Sequence, residues 1–159
     1  MNYSKVWEKV LAEDEKVIYE FSISNKYINF SLIFFLLFSI ILSFVLIGIP
    51  LLIYVLFYYL FYIKVANAYA FTNKRILIHQ GWLSTKLTSI DYYQITDTYV
   101  LEPFLARVFT KSGHLVVNTA GTSLFEVYLR YVDSPYEVKK KLDLLKDEFL
   151  KTYRGGKKI

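Results

Sequence analysis

The chain has 159 residues, a formal net charge of +5, 55 % hydrophobic and 19 % aromatic residues, and no cysteine. The absence of cysteine excludes a disulfide framework, thiolate catalysis and thiolate metal sites. From Lys64 onward 15 Lys and Arg stand against 9 Asp and Glu. Because these basic residues are scattered through alternating segments, they favour attraction to an anionic membrane over nucleic-acid binding.

The N-terminal segment 1–12 predicts a short amphipathic helix, because its apolar residues recur at helical spacing with charged residues between them. These apolar residues are Tyr3, Val6, Trp7, Val10 and Leu11. The helix either lies on a membrane surface or packs on the domain. Segment 13–26 follows, and its alternation of apolar and polar positions from Glu15 to Ser24 predicts the first strand of a sheet.

An uncharged run of 37 residues separates Lys26 from Lys64. A single helix of that length would extend roughly 55 Å, nearly twice a hydrocarbon core of about 30 Å. Gly48 and Pro50 interrupt the run near its middle: Gly48 suits the left-handed position that ends a helix, and Pro50 suits the first turn of the next. Segment 27–66 is therefore predicted to be a transmembrane helical hairpin with its turn at Gly48 and Pro50.

Two other structures for this segment are less favoured. A chain this short could not bury two helices that are apolar on every side. A cleaved signal peptide does not fit either, because charges occur throughout residues 1–26 and the apolar run is too long. A shallow hairpin that enters and leaves one leaflet is the remaining alternative.

The charges flanking the hairpin predict its orientation. Lys26 precedes it, Lys64, Lys74 and Arg75 follow it, and the turn is uncharged. Because Lys and Arg remain on the cytoplasmic side, both termini are expected in the cytoplasm of a multi-pass plasma-membrane protein. The same four residues are the candidate membrane-proximal cations for anionic lipid.

Segment 67–153 predicts several short strands followed by a helix. Short strands with close turns favour an antiparallel sandwich or small barrel. A helical turn or two is predicted at 103–109, and a final amphipathic helix from Ser134 to about Tyr153, where Ser134-Pro135-Tyr136-Glu137 supplies the N-terminal cap. Residues 154–159 form a basic tail. The predicted strands are 68–72, 75–80, 82–90, 93–101, 114–119 and 125–132.

This order of elements resembles the bacterial and archaeal membrane-flanked pleckstrin-homology-like domains. The resemblance covers about residues 13–150, and one departure lies at Thr110-Lys111-Ser112, where the family more often has a glycine after the short helix. It implies an α+β fold in which a membrane hairpin is inserted between neighbouring strands of one sheet. The residues that carry it are 69–76, Gly81, 90–95, 103–107, 113–121 and 133–135.

No catalytic, cofactor or metal site is predicted. His79 and His114 lie in predicted strands without a ligand partner at useful spacing. Asp91 and Asp97 flank turns or strand edges, where aspartate forms local hydrogen bonds. There is no nucleophile elbow or phosphate-binding loop, and the hairpin contains no ionisable acid, base or histidine for ion transport.

The sequence therefore predicts a non-catalytic, membrane-anchored interaction or scaffolding module. It would act at the cytoplasmic face by self-association or by docking to another membrane protein. Recognition of anionic lipid or of a lipid head group is the alternative function.

Overall fold

The computed structural model describes residues 3–43, 48–120 and 126–155. They form seven strands, six α-helices, a π-helical turn at Tyr58–Tyr62 and a 3-10 turn at Tyr92–Gln94. The helices are α1 Ser4–Trp7, α2 Asn25–Ser43, α3 Gly48–Phe57, α4 Ile63–Val65, α5 Phe104–Thr110 and α6 Pro135–Gly155. The strands are β1 Val17–Ser22, β2 Asn67–Thr72, β3 Arg75–Gln80, β4 Lys86–Asp91, β5 Ile95–Leu101, β6 Ser112–Thr119 and β7 Glu126–Asp133.

The strands form two antiparallel sheets, ordered β1-β2-β3-β4 and β5-β6-β7. Strand β1 pairs with β2 along its length, which confirms that the strand before the hairpin shares a sheet with the strands after it. The two sheets meet where Ile23 bridges Val132 and the Ser24 N–H donates to the Tyr131 carbonyl at 2.6 Å. The predicted antiparallel α+β architecture is confirmed.

The core lies between the inner faces of the sheets and is closed by α6. Tyr69 and Ile76 from one sheet and Leu115 from the other are fully buried. Val138 and Leu142 of α6 pack into the same cluster, while Leu145 and Phe149 contact it from its edge. The apolar stripe of the C-terminal helix therefore covers the opening between the sheets, as its spacing predicts.

The N-terminal segment packs on the outer face of the first sheet. Trp7 is 1 % exposed and packs with Ala68, Ala70 and Leu77, where the small side chains of the two alanines leave room for the indole. Its Nε1 donates to Glu20 at 3.1 Å. The helix is shorter than segment 1–12, and of the two predicted locations the structure shows packing on the domain.

The hairpin leaves the first sheet after β1 and returns at β2. Two helical stretches, Asn25–Leu42 and Gly48–Val65, are long and apolar enough to cross a membrane, and only 17 % and 22 % of them is buried. Gly48 and Pro50 both lie in the first turn of α3. Pro50 fits the prediction, but Gly48 is already helical and does not provide a left-handed helix end; residues 44–47 lie outside the described ranges.

Two turns differ from expectation. The strand predicted at 82–90 begins only at Lys86, because Gly81 adopts a φ of 98° and turns the chain. After α5, Lys111 adopts the left-handed conformation with φ 50° and ψ 35°, and its N–H donates to the Ala106 carbonyl. A lysine thus makes the turn for which the resemblance leads one to expect glycine.

Candidate functional site

The strand directions divide the domain into two ends. We call the end from which α2 and α4 leave the hairpin end, and the opposite end the distal end. Strand β1 reaches the hairpin end at Ser22, and β2 starts there at Asn67. Strand β3 returns to it at Gln80, and β5 approaches it at Leu101 beside α5. Any surface that acts beside the hairpin must be built from these strand ends and the loops that join them.

The four candidate cations do not lie together. Lys26 and Lys64 flank the hairpin, but Lys74 and Arg75 occupy the β2–β3 turn. Five residue steps of strand β2 place that turn about 17 Å away, at the distal end. The prediction that Lys74 and Arg75 are close to the hairpin is wrong, because one strand carries the chain across the domain before it turns.

Arg75 instead has a structural role. Its guanidinium donates to both carboxylate oxygens of Glu15, from Nε at 2.9 Å and from Nη2 at 2.7 Å. The Thr72 hydroxyl donates to Glu15 at 2.8 Å and the Ala12 N–H at 3.2 Å. Burial raises the pKa of Glu15, but the hydrogen bonds from Arg75 and Thr72 outweigh burial and lower it to about 2. This ion pair links the N-terminal segment to the β2–β3 turn.

A polar cavity of about 410 Å³ lies at the hairpin end beside Lys26 and Lys64. Lys26 is paired there with Asp133 at 3.1 Å, with both side chains about half exposed. The Lys64 carbonyl accepts the Tyr3 hydroxyl at 2.8 Å. Glu20 also lines the cavity, so its two cations face two anions. An electroneutral cavity of this kind gives no preference for an anionic over a zwitterionic head group.

The titratable groups considered for catalysis do not form one cluster. His114 Nδ1 accepts the Tyr131 N–H at 3.2 Å, and burial lowers the pKa of both His114 and His79. Asp91 lies opposite Arg75 in the β3–β4 ladder, whereas Asp97 belongs to the other sheet and accepts the Thr98 N–H at 2.7 Å. Within the described ranges no three His, Cys, Asp or Glu residues are grouped to hold a metal.

Exposed apolar side chains at the hairpin end were not singled out by the sequence reasoning. Phe104, Leu105 and Val108 are large apolar residues of α5, and their side chains point outward. Trp82 and Leu83, predicted to start a strand, form an exposed loop instead. The signal was present in the sequence: α5 carries small residues only at Ala106 and Thr110, so only that side can approach a sheet closely.

Two antiparallel sheets joined at one corner and capped by a C-terminal helix define a pleckstrin-homology-like domain. A family model described as Bacterial PH domain matches residues 30–146. The chain therefore belongs to the bacterial PH domain family, and this membership supports a non-catalytic interaction module.

Similar solved structures come from two Shewanella species. One is a DUF1696 family protein with a pleckstrin-homology domain from Shewanella loihica PV-4, with 12 % identity, a TM-score of 0.48, and coverage of 92 % of this chain and 98 % of that one. The other is a pleckstrin homology domain from Shewanella amazonensis SB2B, with 14 % identity, a TM-score of 0.48, and coverage of 89 % and 86 %. Comparison with curated proteins gives no match.

Proposed function

We propose that this protein is a membrane-anchored interaction module that holds its PH-like domain at the cytoplasmic face and docks there to a second copy or to another membrane protein. The observation that carries the proposal is the insertion of an exposed apolar hairpin between two paired strands, β1 and β2. An anchor placed there fixes the height and orientation of the domain as well as its location.

The exposure of the hairpin supports its insertion into lipid. The helices of a soluble core are mostly buried, whereas these bury about a fifth of their length. Leu37 and Ile41 of α2 and Ile53 of α3 are each at least 60 % exposed. Contiguous apolar surface of this extent is not stable in water but matches a hydrocarbon environment.

The flanking charges support cytoplasmic termini. Lys26 and Lys64 lie at the two points where the hairpin enters the domain, and no charged residue occurs between them. By the positive-inside rule, these lysines support a position of the PH-like domain on the cytoplasmic side.

Strand β4 offers an accessible edge for docking. Its neighbour β3 occupies one side, and no described strand occupies the other. The corresponding edge of β5 is engaged by α6, because Lys146 Nζ donates to the Ile95 carbonyl at 3.0 Å. Residues on the outer face of β4 are also solvent-accessible, with Leu87 40 % exposed. Strand addition at β4 would give affinity through main-chain hydrogen bonds, and confinement to a membrane lets a weak interface suffice.

Topology is tested with single cysteines, since the chain has none of its own. Ile49→Cys at the start of α3 is expected to react with an impermeant thiol reagent on intact cells, and Lys140→Cys on α6 is expected to react only after permeabilisation. The reverse pattern, or equal labelling at both positions, contradicts the proposed anchoring.

Docking is tested by cross-linking in native membranes. Ser89→Cys on exposed β4 is expected to give a reproducible cross-linked species with a short bifunctional maleimide, while the matched control Lys140→Cys on the far surface is not. Sizing in mild detergent and identification of the cross-linked product distinguish a second copy from another protein. A strictly monomeric protein without a reproducible product at Ser89 contradicts the docking proposal.

A further inference from the structure

Helix α5 is amphipathic in the opposite sense to an ordinary surface helix. Ala106 and Thr110 are buried against the domain, and the Thr110 hydroxyl donates back to the Ala106 carbonyl at 2.7 Å. At ~100° per residue, the bulky residues lie on the arc facing away from the domain. Their exposures are Phe104 70 %, Leu105 60 %, Val108 54 % and Phe109 59 %.

This helix lies alongside the first part of α2. The Phe109 ring stacks on Phe30 with centroids 4.8 Å apart, and Leu105 shares an apolar cavity of about 280 Å³ with Phe34. Phe30 and Phe34 are five and nine residues beyond Asn25, which corresponds to about 8 and 14 Å along α2. The outward face of α5 is thus continuous with the exposed surface of the hairpin and extends well along it.

The β3–β4 loop occupies the same level on the other hairpin helix. The Gly81 N–H donates to the Ala66 carbonyl at 2.8 Å, which ties the loop to the end of α4. Trp82 then packs beside Phe57 at a centroid distance of 5.9 Å, and Leu83 is 90 % exposed. Phe57 precedes Val65 by eight residues, or about 12 Å of helix. Both apolar patches therefore reach comparable depths, one along each helix.

We propose that α5 and the β3–β4 loop insert into the bilayer on the two sides of the hairpin, so that the domain itself contacts lipid. This inference rests on the proposed anchoring. The bilayer is the occupant that fits both patches, because both continue the lipid-facing surface of the hairpin and lie at similar depth. A helix with bulky apolar residues outward and a tryptophan-bearing loop are typical of membrane interfaces.

The positions of the cations near these patches support contact with a lipid surface. Arg107 is the charged residue within α5 and is exposed, as is Lys111 at its end. Lys86 begins β4 directly after the loop and is also exposed. Cations at this level meet the head groups when the apolar residues reach the acyl chains. The domain would then rest on three supports, the hairpin, α5 and the loop, which restricts its tilt.

The test uses full-length protein reconstituted into vesicles of phosphatidylcholine and phosphatidylglycerol at a 3:1 ratio. Single cysteines at Val108, Leu83, Ile53 and Tyr153 carry a nitroxide spin label, and each is probed with lipid-soluble oxygen and a water-soluble nickel chelate. Val108→Cys and Leu83→Cys are expected to have oxygen-to-nickel accessibility ratios well above that of Tyr153→Cys at the distal end of α6. Ile53→Cys in the hairpin should give the highest ratio.

The other outcomes separate this inference from the proposed function. A high ratio at Ile53 with Val108 and Leu83 as nickel-accessible as Tyr153 overturns the inference and leaves the anchoring intact. Nickel access at Ile53 as well overturns the anchoring. Protection of Val108 from both reagents, with spin–spin broadening that disappears on dilution with unlabelled protein, shows that a second copy covers α5 and also overturns the inference.

Discussion

The Glu15–Arg75 ion pair should make a large contribution to stability, and Glu15→Gln tests it. Glu15 is 5 % exposed, and its carboxylate accepts hydrogen bonds from Arg75, Thr72 and Ala12. A pKa lowered from 4.5 to about 2 corresponds to about 3 kcal/mol of stabilisation of the folded state. Glutamine retains an acceptor, and the partly exposed guanidinium can reach water, so we expect Glu15→Gln to cost about 2–3 kcal/mol at neutral pH.

The pH dependence of stability gives a sharper test than the stability lost at neutral pH. Because the pKa of Glu15 is lower in the folded state, its stabilisation is fully present above about pH 4.5 and is lost as the pH falls towards 2. The wild-type protein should therefore lose more stability than Glu15→Gln across this interval, and the two should converge at its acidic end.

The measurement is unfolding of the full-length protein in detergent, followed by tryptophan fluorescence at pH values from 7 to 2. The matched control is Asp143→Asn, which breaks the more exposed pair between Lys139 and Asp143 on α6. This control should change stability by only about 0.5 kcal/mol. An unchanged unfolding midpoint for Glu15→Gln at pH 7, or an acid-induced loss equal to that of wild type, would refute the reasoning.

Three further substitutions, one of them with a matched control, test the packing and the turns by thermal unfolding of the full chain. Leu142→Ala, at a fully buried position, should cost about 2–5 kcal/mol, whereas Leu144→Ala, on the exposed side of the same helix, should stay within about 0.5 kcal/mol. Gly81→Ala should be destabilising by about 1–3 kcal/mol, because its φ is 98° and the new Cβ would lie 2.0 Å from the Ser84 carbonyl oxygen; a midpoint equal to wild type contradicts the strained turn. Lys111→Gly should raise stability by about 1 kcal/mol, because glycine adopts a φ of 50° without the steric cost that lysine incurs; a lower midpoint contradicts this.

The sequence allowed the order of elements to be predicted, because each strand carries its own alternation and each turn its own polar or small residues. The prediction of β3 matches the structure residue for residue, and α6 begins at Pro135, directly after the predicted start at Ser134. The sequence predicts a longer helix than α1, because Trp7 and Val10 have helical spacing. In the structure, contacts with the outer face of the sheet determine where these two residues lie. That face is identifiable only after the strands are paired.

The candidate site is harder to predict, because residues that are close in sequence need not be close in space. Lys74 and Arg75 follow the hairpin by about ten residues, but β2 directs them to the distal end. The residues that do reach the hairpin end include Trp82, in the β3–β4 loop, and Leu105, in helix α5. Their exposure depends on which side of α5 and of the β3–β4 loop faces the sheet. In α5 the small residues Ala106 and Thr110 mark the side that faces the sheet, whereas hydrophobic periodicity alone would turn the bulky apolar residues inward.

Insertion of the hairpin between paired strands links the hairpin to the folding of the domain. Bringing β1 and β2 together across residues 23–66 carries a loop-closure cost, which the antiparallel packing of α2 and α3 offsets by holding the strand ends close. Ile28 and Val55 pack between the helices, while Ile23 and Tyr131 connect this cluster to the domain. The outer face of β2 is in turn covered by Trp7 from upstream of the hairpin. The PH-like domain therefore depends on residues from both sides of the hairpin, so the hairpin and the domain form one structural unit.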